Sequence, residues 1–128
     1  MRLTLKLILF LLLLAGCSSA PEIVDNGNPG QIKVVGYLDE NRNCTMDAGE
    51  PGLTDEVGLS LDVSCPAGSM DRVIVAETDS SGETVFTNQK PGRYCVANMG
   101  DKGLTTKLTN EVNLSSDQVL LVAFGLTE

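Results

Sequence analysis

The chain lacks histidine and tryptophan and has few aromatic or basic residues. Its 128 residues include two Tyr and three Phe, and nine Lys or Arg face seventeen Asp or Glu, which gives a net charge of −8. Without His, a His-based catalytic triad, a zinc–His site and a histidine pH switch are excluded. The negative charge argues against nucleic acid as a partner. Because the serines have no His partner, we expect a protein that is not an enzyme.

The first sixteen residues have the pattern of a secretory signal. Arg2 and Lys6 form a basic start, and the apolar run over residues 7–14 is short for a transmembrane helix. The next residues, Leu14-Ala15-Gly16-Cys17, resemble a bacterial lipobox, which implies cleavage before Cys17 and lipidation of its thiol. The alternative is an ordinary secretory signal with a cysteine nearby. We therefore expect an extracytoplasmic protein of the bacterial cell envelope, held to the cell membrane or outer membrane by its lipid.

Three segments follow from the composition. Residues 1–16 are the signal peptide, and residues 17–30 are the lipidated cysteine and a linker rich in Ser, Pro, Gly and Asn. The linker has no sustained periodicity, which is typical of a flexible tether. Residues 31–128 form the folded body.

Short β-type runs separated by turn residues make up the body. The second run alternates strictly, with Val57, Leu59, Leu61 and Val63 on one face, which predicts a strand with one buried side. Seven such runs predict an all-β, antiparallel sandwich of the immunoglobulin-like type. The predicted strands cover residues 31–38, 56–64, 72–78, 83–87, 93–98, 104–112 and 118–126.

Residues 39–50 place oxygen-bearing side chains at the first, third, fifth, ninth and twelfth positions. Ca²⁺ takes six to eight oxygen ligands, and this is the ligand spacing of a twelve-residue calcium loop, whose seventh position supplies a backbone carbonyl. The alternative is a solvated turn, since Asp and Asn favour turns. We predict a structural Ca²⁺ ion between two strands. Its ligands would be Asp39, Asn41, Asn43, Thr45 (through its carbonyl), Asp47 and Glu50.

The order of motifs along the body resembles a known family. Gly36-Tyr37-Leu38-Asp39, the loop with Gly49-Glu50-Pro51-Gly52-Leu53, Thr78-Asp79-Ser80-Ser81-Gly82 and Pro91-Gly92-Arg93-Tyr94-Cys95-Val96 follow one another. The series is similar to the SD-repeat B-type domain of bacterial surface proteins, a relative of the Cna-B-like, prealbumin-like fold. The resemblance covers residues 31–126. It implies a calcium-binding β-sandwich that serves as a spacer or an adhesive module.

The sequence departs from the family pattern at several positions, among them Cys44, Thr84 and Gln89. Cys44 stands where the loop usually has Gly, at a position that favours positive φ and costs a residue with a Cβ about 1 kcal/mol. Lys33 lies on the first strand, where some related domains form an isopeptide bond with an Asn of the last strand. Val122, Ala123 and Phe124 offer no amide, so we predict no isopeptide bond.

With Cys17 lipidated, three cysteines remain, and three disulfide pairings are possible among Cys44, Cys65 and Cys95. An extracytoplasmic compartment is oxidising and favours one bond. The family resemblance favours Cys65–Cys95, because related domains carry cysteines at these two places. Cys44 is then a free thiol beside the calcium site.

Two functions are compatible with these features. The first is a lipid-anchored surface module with a structural calcium site, acting in adhesion, as a spacer, or as an interaction domain for an extracellular or envelope protein. The alternative is a carbohydrate- or small-ligand-binding accessory lipoprotein. Exposed aromatic residues in the loops would favour the alternative, because sugar sites commonly use aromatic stacking platforms.

Overall fold

The computed structural model describes residues 22–61 and 73–127, and within these ranges it contains eight strands and no helix that could cross a membrane. The signal peptide and Cys17 lie outside the described residues. The strands form two four-stranded sheets, ordered β4-β1-β8-β6 and β3-β2-β5-β7. Their bounds are β1 (Gly30–Leu38), β2 (Glu56–Leu61), β3 (Val73–Glu77), β4 (Glu83–Gln89), β5 (Gly92–Asn98), β6 (Gly103–Leu104), β7 (Thr109–Leu114) and β8 (Val119–Thr127).

The two sheets enclose one apolar core, which confirms the all-β sandwich. Alternate residues of β1 and β8, which are neighbours in the first sheet, point inward. Ile32, Val34, Phe124 and Leu126 are fully buried on this face. The opposite sheet contributes further buried side chains from β2, β5 and β7: Val57, Leu59, Tyr94, Val96 and Leu114.

The strand count and one pairing differ from the prediction. The single run predicted over residues 104–112 is split into β6, which pairs with β8, and β7, which pairs with β5. The segment between them passes from one sheet to the other, so one strand cannot continue through it. β1 and β8 pair in parallel from Gln31↔Val119 to Leu38↔Leu126, so the first sheet is mixed rather than antiparallel.

Strand β2 is buried on both faces along part of its length, which corrects the prediction of one buried side. Val57 and Leu59 face the core as predicted, but Ser60 is also buried. Over Gly58, the side chains of Val73 and Met99 close the outer face so tightly that a Cβ would lie 2.7 Å from Val73 and 2.5 Å from Met99. Residues 62–64, which complete the predicted run, lie outside the described part.

The end of the predicted tether is bound to the body. Val24 N donates to the Ser115 hydroxyl, Ser116 N donates to the Val24 carbonyl, and Asn26 Nδ2 donates to the Asp117 carboxylate at 3.1 Å. These bonds fix the chain against the β7–β8 turn before β1 begins. From Val24 onward, the segment predicted as a flexible tether is therefore hydrogen-bonded to the body.

The β3–β4 turn is held by the carboxylate of Asp79. Its Oδ1 accepts hydrogen bonds from the Ser81 hydroxyl at 2.6 Å, Ser81 N at 2.9 Å and Glu83 N at 3.0 Å. The Ser81 hydroxyl, followed by the backbone of Glu83, lowers the pKa of Asp79 below its ordinary value. The ionised carboxylate therefore stabilises the folded turn.

Acid should remove the stabilisation that Asp79 provides. A lowered folded-state pKa contributes stability that is fully present above the ordinary carboxyl value of about 3.9 and is lost as the pH falls through the lowered value. Melting midpoints measured from pH 6 to pH 2 should therefore fall less in Asp79→Asn than in the parent protein. Parallel acid profiles for the two proteins would contradict this role.

Candidate metal centre

The loop over residues 39–50 leaves and re-enters the sandwich at a fixed crossing. Tyr37 bridges Gly52, Leu38 N donates to the Pro51 carbonyl at 2.8 Å, and Leu53 N donates to the Gly36 carbonyl at 2.9 Å. The chain thus closes a loop between β1 and β2. This confirms that the loop joins two strands rather than two helices.

Asp39 is the buried anchor of the loop. Only 2% of the residue is exposed, and its carboxylate accepts hydrogen bonds from Thr105 Oγ1 at 2.6 Å, Cys44 N at 2.9 Å and Asn43 N at 3.2 Å. Burial raises the pKa of Asp39, but the bonds from Thr105, Cys44 and Asn43 outweigh it and hold the pKa below its ordinary value. An ionised carboxylate therefore sits at the first ligand position.

Three of the predicted ligand side chains converge on one point. The side-chain amides of Asn41 and Asn43 donate to the same oxygen of Asp47, Oδ2, at 2.9 and 2.7 Å. The side-chain oxygen of Asn41 accepts from Asn43 N at 3.2 Å, and that of Asn43 accepts from Thr45 N at 3.0 Å. These bonds fold the loop into successive tight turns. A cation beside Asp47 would take the place of the two amide donors if the amides rotated to present their oxygens.

One carboxylate oxygen of Glu50 accepts no hydrogen bond. Its Oε2 accepts from Asp47 N at 2.8 Å, whereas its Oε1 is buried and has no hydrogen-bond partner. A buried oxygen of this kind is costly unless a positive group neutralises it. Glu50 is also the position from which a calcium loop draws its bidentate ligand.

The carboxylates of the loop are too few and too far apart to hold a metal ion by themselves. Within residues 22–61 and 73–127, no group of three or more Asp, Glu, Cys or His side chains lies close enough to hold a metal. Ca²⁺ also accepts amide and backbone carbonyl oxygens. The amides of Asn41 and Asn43 and the carbonyl of Thr45 would therefore have to complete the set, and the full ligand set stays a prediction.

The charges of the loop act on the tyrosine that leads into it. Burial raises the pKa of Tyr37, and the nearby carboxylates of Asp39, Glu50 and Asp47 and the Cys44 thiol raise it further. The loop therefore has a negative electrostatic potential, which would attract a cation.

Thr105 also belongs to the site, although it is part of no motif in the sequence. It lies 66 residues from Asp39, and besides its bond to that carboxylate its carbonyl accepts from the Cys44 thiol at 3.0 Å. Thr105 N in turn donates to the Gly125 carbonyl of β8. The segment after β6 therefore connects the loop to the last strand, and no local pattern encodes that contact.

Cys44 adopts the left-handed conformation that favours glycine, with φ of 62°. Replacing Cys44 with Gly should raise the free energy of unfolding by about 0.5–1 kcal/mol, because the strain of a Cβ at positive φ is removed. Chemical denaturation measures the gain. Cys44→Ala removes the thiol and keeps the Cβ, so it should give no gain, and equal gains in both variants would assign the effect to the thiol.

The other cysteine and lysine predictions have mixed outcomes. Cys44 is a free, exposed thiol, as expected. Cys65 lies outside the described residues, so the Cys65–Cys95 bond stays a prediction. Lys33 Nζ forms an ion pair with Glu83 at 3.1 Å on the neighbouring strand β4. The absence of an isopeptide bond likewise stays a prediction.

The chain matches no family model and no curated protein. Among solved structures, it is similar to the full-length major pilin SpaD from Corynebacterium diphtheriae, with a TM-score of 0.58 and 14% identity over 82% of this chain. The fold is similar to that of a pilin domain. A streptococcal ancillary pilin gives a TM-score of 0.54 and 17% identity over 80% of the chain. The aligned part is 33% of either pilin, so the chain spans about a third of their length, and these identities show the fold alone.

Proposed function

We propose that this protein is a lipid-anchored module of the bacterial cell surface whose β-sandwich is stiffened by one calcium ion. It acts without catalysis, as an adhesion or spacer unit or as an interaction domain for an envelope or extracellular protein. The lipobox-like Leu14-Ala15-Gly16-Cys17 supports the anchor. The likeness to pilin domains supports a surface location for the sandwich.

The observation that carries the calcium proposal is the buried, partnerless oxygen of Glu50. It sits at the end of a loop in which the side-chain amides of Asn41 and Asn43 already gather around Asp47. Bound there, Ca²⁺ would supply the positive charge that this oxygen lacks. The ion would also cross-link the end of β1 to the chain that enters β2, which is a structural rather than a signalling role.

The alternative of a carbohydrate-binding lipoprotein has little support from the described residues. An exposed cluster of aromatic residues in the loops would favour this function. The aromatic residues of the body are instead all buried, with at most 6% exposure. They are Tyr37, Phe86, Tyr94 and Phe124. No flat stacking platform for a sugar ring is therefore available on the described surface.

Thermal melting tests the calcium proposal. At about 1 mM calcium and a Kd of about 0.1 mM, binding to the folded state contributes about 1.4 kcal/mol, so the midpoint should rise by roughly 5–10 °C over that in chelator. Glu50→Gln should remove most of this rise. Glu40→Gln makes the same charge change at an exposed, non-ligand position of the loop and should keep the rise. Equal midpoints in calcium and chelator for the parent protein would contradict the proposal.

A further inference from the structure

A second group of acidic residues lies on the body beside the start of β2, outside the loop over residues 39–50. A groove of about 450 Å³ is bordered by the segment before β2, the end of β3 and the turn after β5. Its lining is mainly polar. The residues are Thr54, Asp55, Glu56, Glu77, Met99, Gly100, Asp101 and Lys102.

The floor of the groove is a buried carboxylate. Asp55 is 6% exposed, and its Oδ2 accepts from Asn98 Nδ2 at 2.7 Å. Its Oδ1 packs against Gly100 so closely that a Cβ on that residue would lie 1.6 Å from it. Only a glycine lets the β5 turn approach the carboxylate in this way, so Asp55 is held in the groove rather than turned to open water.

Asp55 has no cationic partner among the described residues. The two ion pairs found there are Lys33–Glu83 and Arg93–Glu111. Lys102, which also lines the groove, donates its Nζ to the Thr54 carbonyl at 3.1 Å instead. A buried ionised carboxylate is costly without a positive group nearby.

A second buried acceptor beside Asp55 is also without a donor. Asn98 is 5% exposed, and its Oδ1 has no hydrogen-bond partner, while its amide nitrogen is already committed to Asp55. The groove is therefore lined by a buried carboxylate that lacks a positive donor, with the unpartnered Asn98 carbonyl on the residue that holds it, and the exposed carboxylates of Glu77 and Asp101 also line the groove.

We propose that this groove binds a primary ammonium group carried on an alkyl chain, such as the side chain of a lysine on a partner protein. A metal ion fits less well, because the carboxylates here are not grouped closely enough to hold one. The volume equals that of roughly fifteen water molecules, which is far more than a bare ion needs. An alkyl chain would lie against Met99, and its ammonium would donate to the acidic side chains. The proposal does not depend on the calcium site.

The test is a titration of the purified, ¹⁵N-labelled protein at low salt, followed by amide chemical shifts. Three probes separate the sources of the ammonium group: Nα-acetyl-lysine amide, the same compound acetylated on Nζ, and cadaverine. Nα-acetyl-lysine amide should change the backbone amide chemical shifts of Asp55, Gly100 and Asp101, while the Nζ-acetylated compound should not. Saturation by cadaverine alone would still support ammonium binding but would assign the site to free diamines. No shifts, or equal shifts with the acetylated compound, would overturn the proposal.

Variants locate the binding in the groove. Asp55→Asn removes the buried charge and should raise the Kd for Nα-acetyl-lysine amide at least tenfold. Because this residue is buried and its variant could lose its fold, the exposed pair Glu77→Gln/Asp101→Asn provides a second test and should weaken binding about three- to tenfold. Glu22→Gln, at an exposed position ahead of β1, is the matched control and should leave the affinity within about twofold. Equal affinities in the rim variant and the control would place the probe elsewhere.

Discussion

Replacing Asp39 with alanine is expected to lower the melting midpoint by roughly 10–20 °C. The carboxylate is buried and accepts hydrogen bonds from the Thr105 hydroxyl and from the backbone of Cys44 and Asn43. Bonds to a charged acceptor are the stronger class, and alanine would leave their donors without a partner. The variant should also lose any calcium-dependent rise in midpoint.

A matched variant separates this anchor from the loss of an ordinary surface acid. Asp25 is exposed, and its carboxylate accepts a single local bond, from Gly27 N at 2.9 Å. Asp25→Ala should change the midpoint by no more than about 3 °C, because exposed side chains contribute little. A similar, small change in both variants would mean that Asp39 does not anchor the loop.

Gly52→Ala is expected to destabilise the fold by about 3 kcal/mol or more. A Cβ on Gly52 would lie 1.8 Å from the Ser81 carbonyl oxygen, and this backbone cannot move without opening the β3–β4 turn. Gly82 is equally confined, since its Cβ would lie 2.2 Å from the Gly36 carbonyl oxygen. The two glycines let the chain that leaves the loop over residues 39–50 cross the β3–β4 turn in direct backbone contact.

Gly27→Ala is the control for this substitution. Gly27 has φ of 91° and no atom within 4 Å of a built Cβ, so alanine there meets conformational strain but no overlap. It should cost about 1 kcal/mol in the same denaturation experiment. If the two alanine variants lost the same stability, backbone contact at Gly52 would not be the cause.

Local patterns in the sequence predicted most of the sandwich. Alternation placed Val57 and Leu59 in the core, and turn residues separated the strands close to where the structure has them. Gly52 and Gly82 belong to the motifs that resemble the known family. The close contact between their backbones explains why both positions need a residue without a side chain. Each of these signals is carried by residues that are neighbours in the chain or by a requirement for a small side chain.

Contacts between distant residues were the part that could not be predicted. The parallel pairing of β1 with β8, the docking of Val24 on Ser115 and the bond from Thr105 to Asp39 all join segments more than 60 residues apart. The groove over Asp55 likewise needs Asn98 and the β5 turn. No periodicity or spacing along the chain specifies which distant segment arrives at such a place.

Isothermal titration calorimetry of chelator-treated protein with Ca²⁺ tests the central claim most directly. One ion should bind per chain with a Kd of about 0.1–1 mM, Glu40→Gln should bind with a similar Kd, and Glu50→Gln should bind at least tenfold more weakly. No binding heat for the parent protein, together with an unchanged melting midpoint in calcium, would contradict the assignment of residues 39–50 as a calcium site.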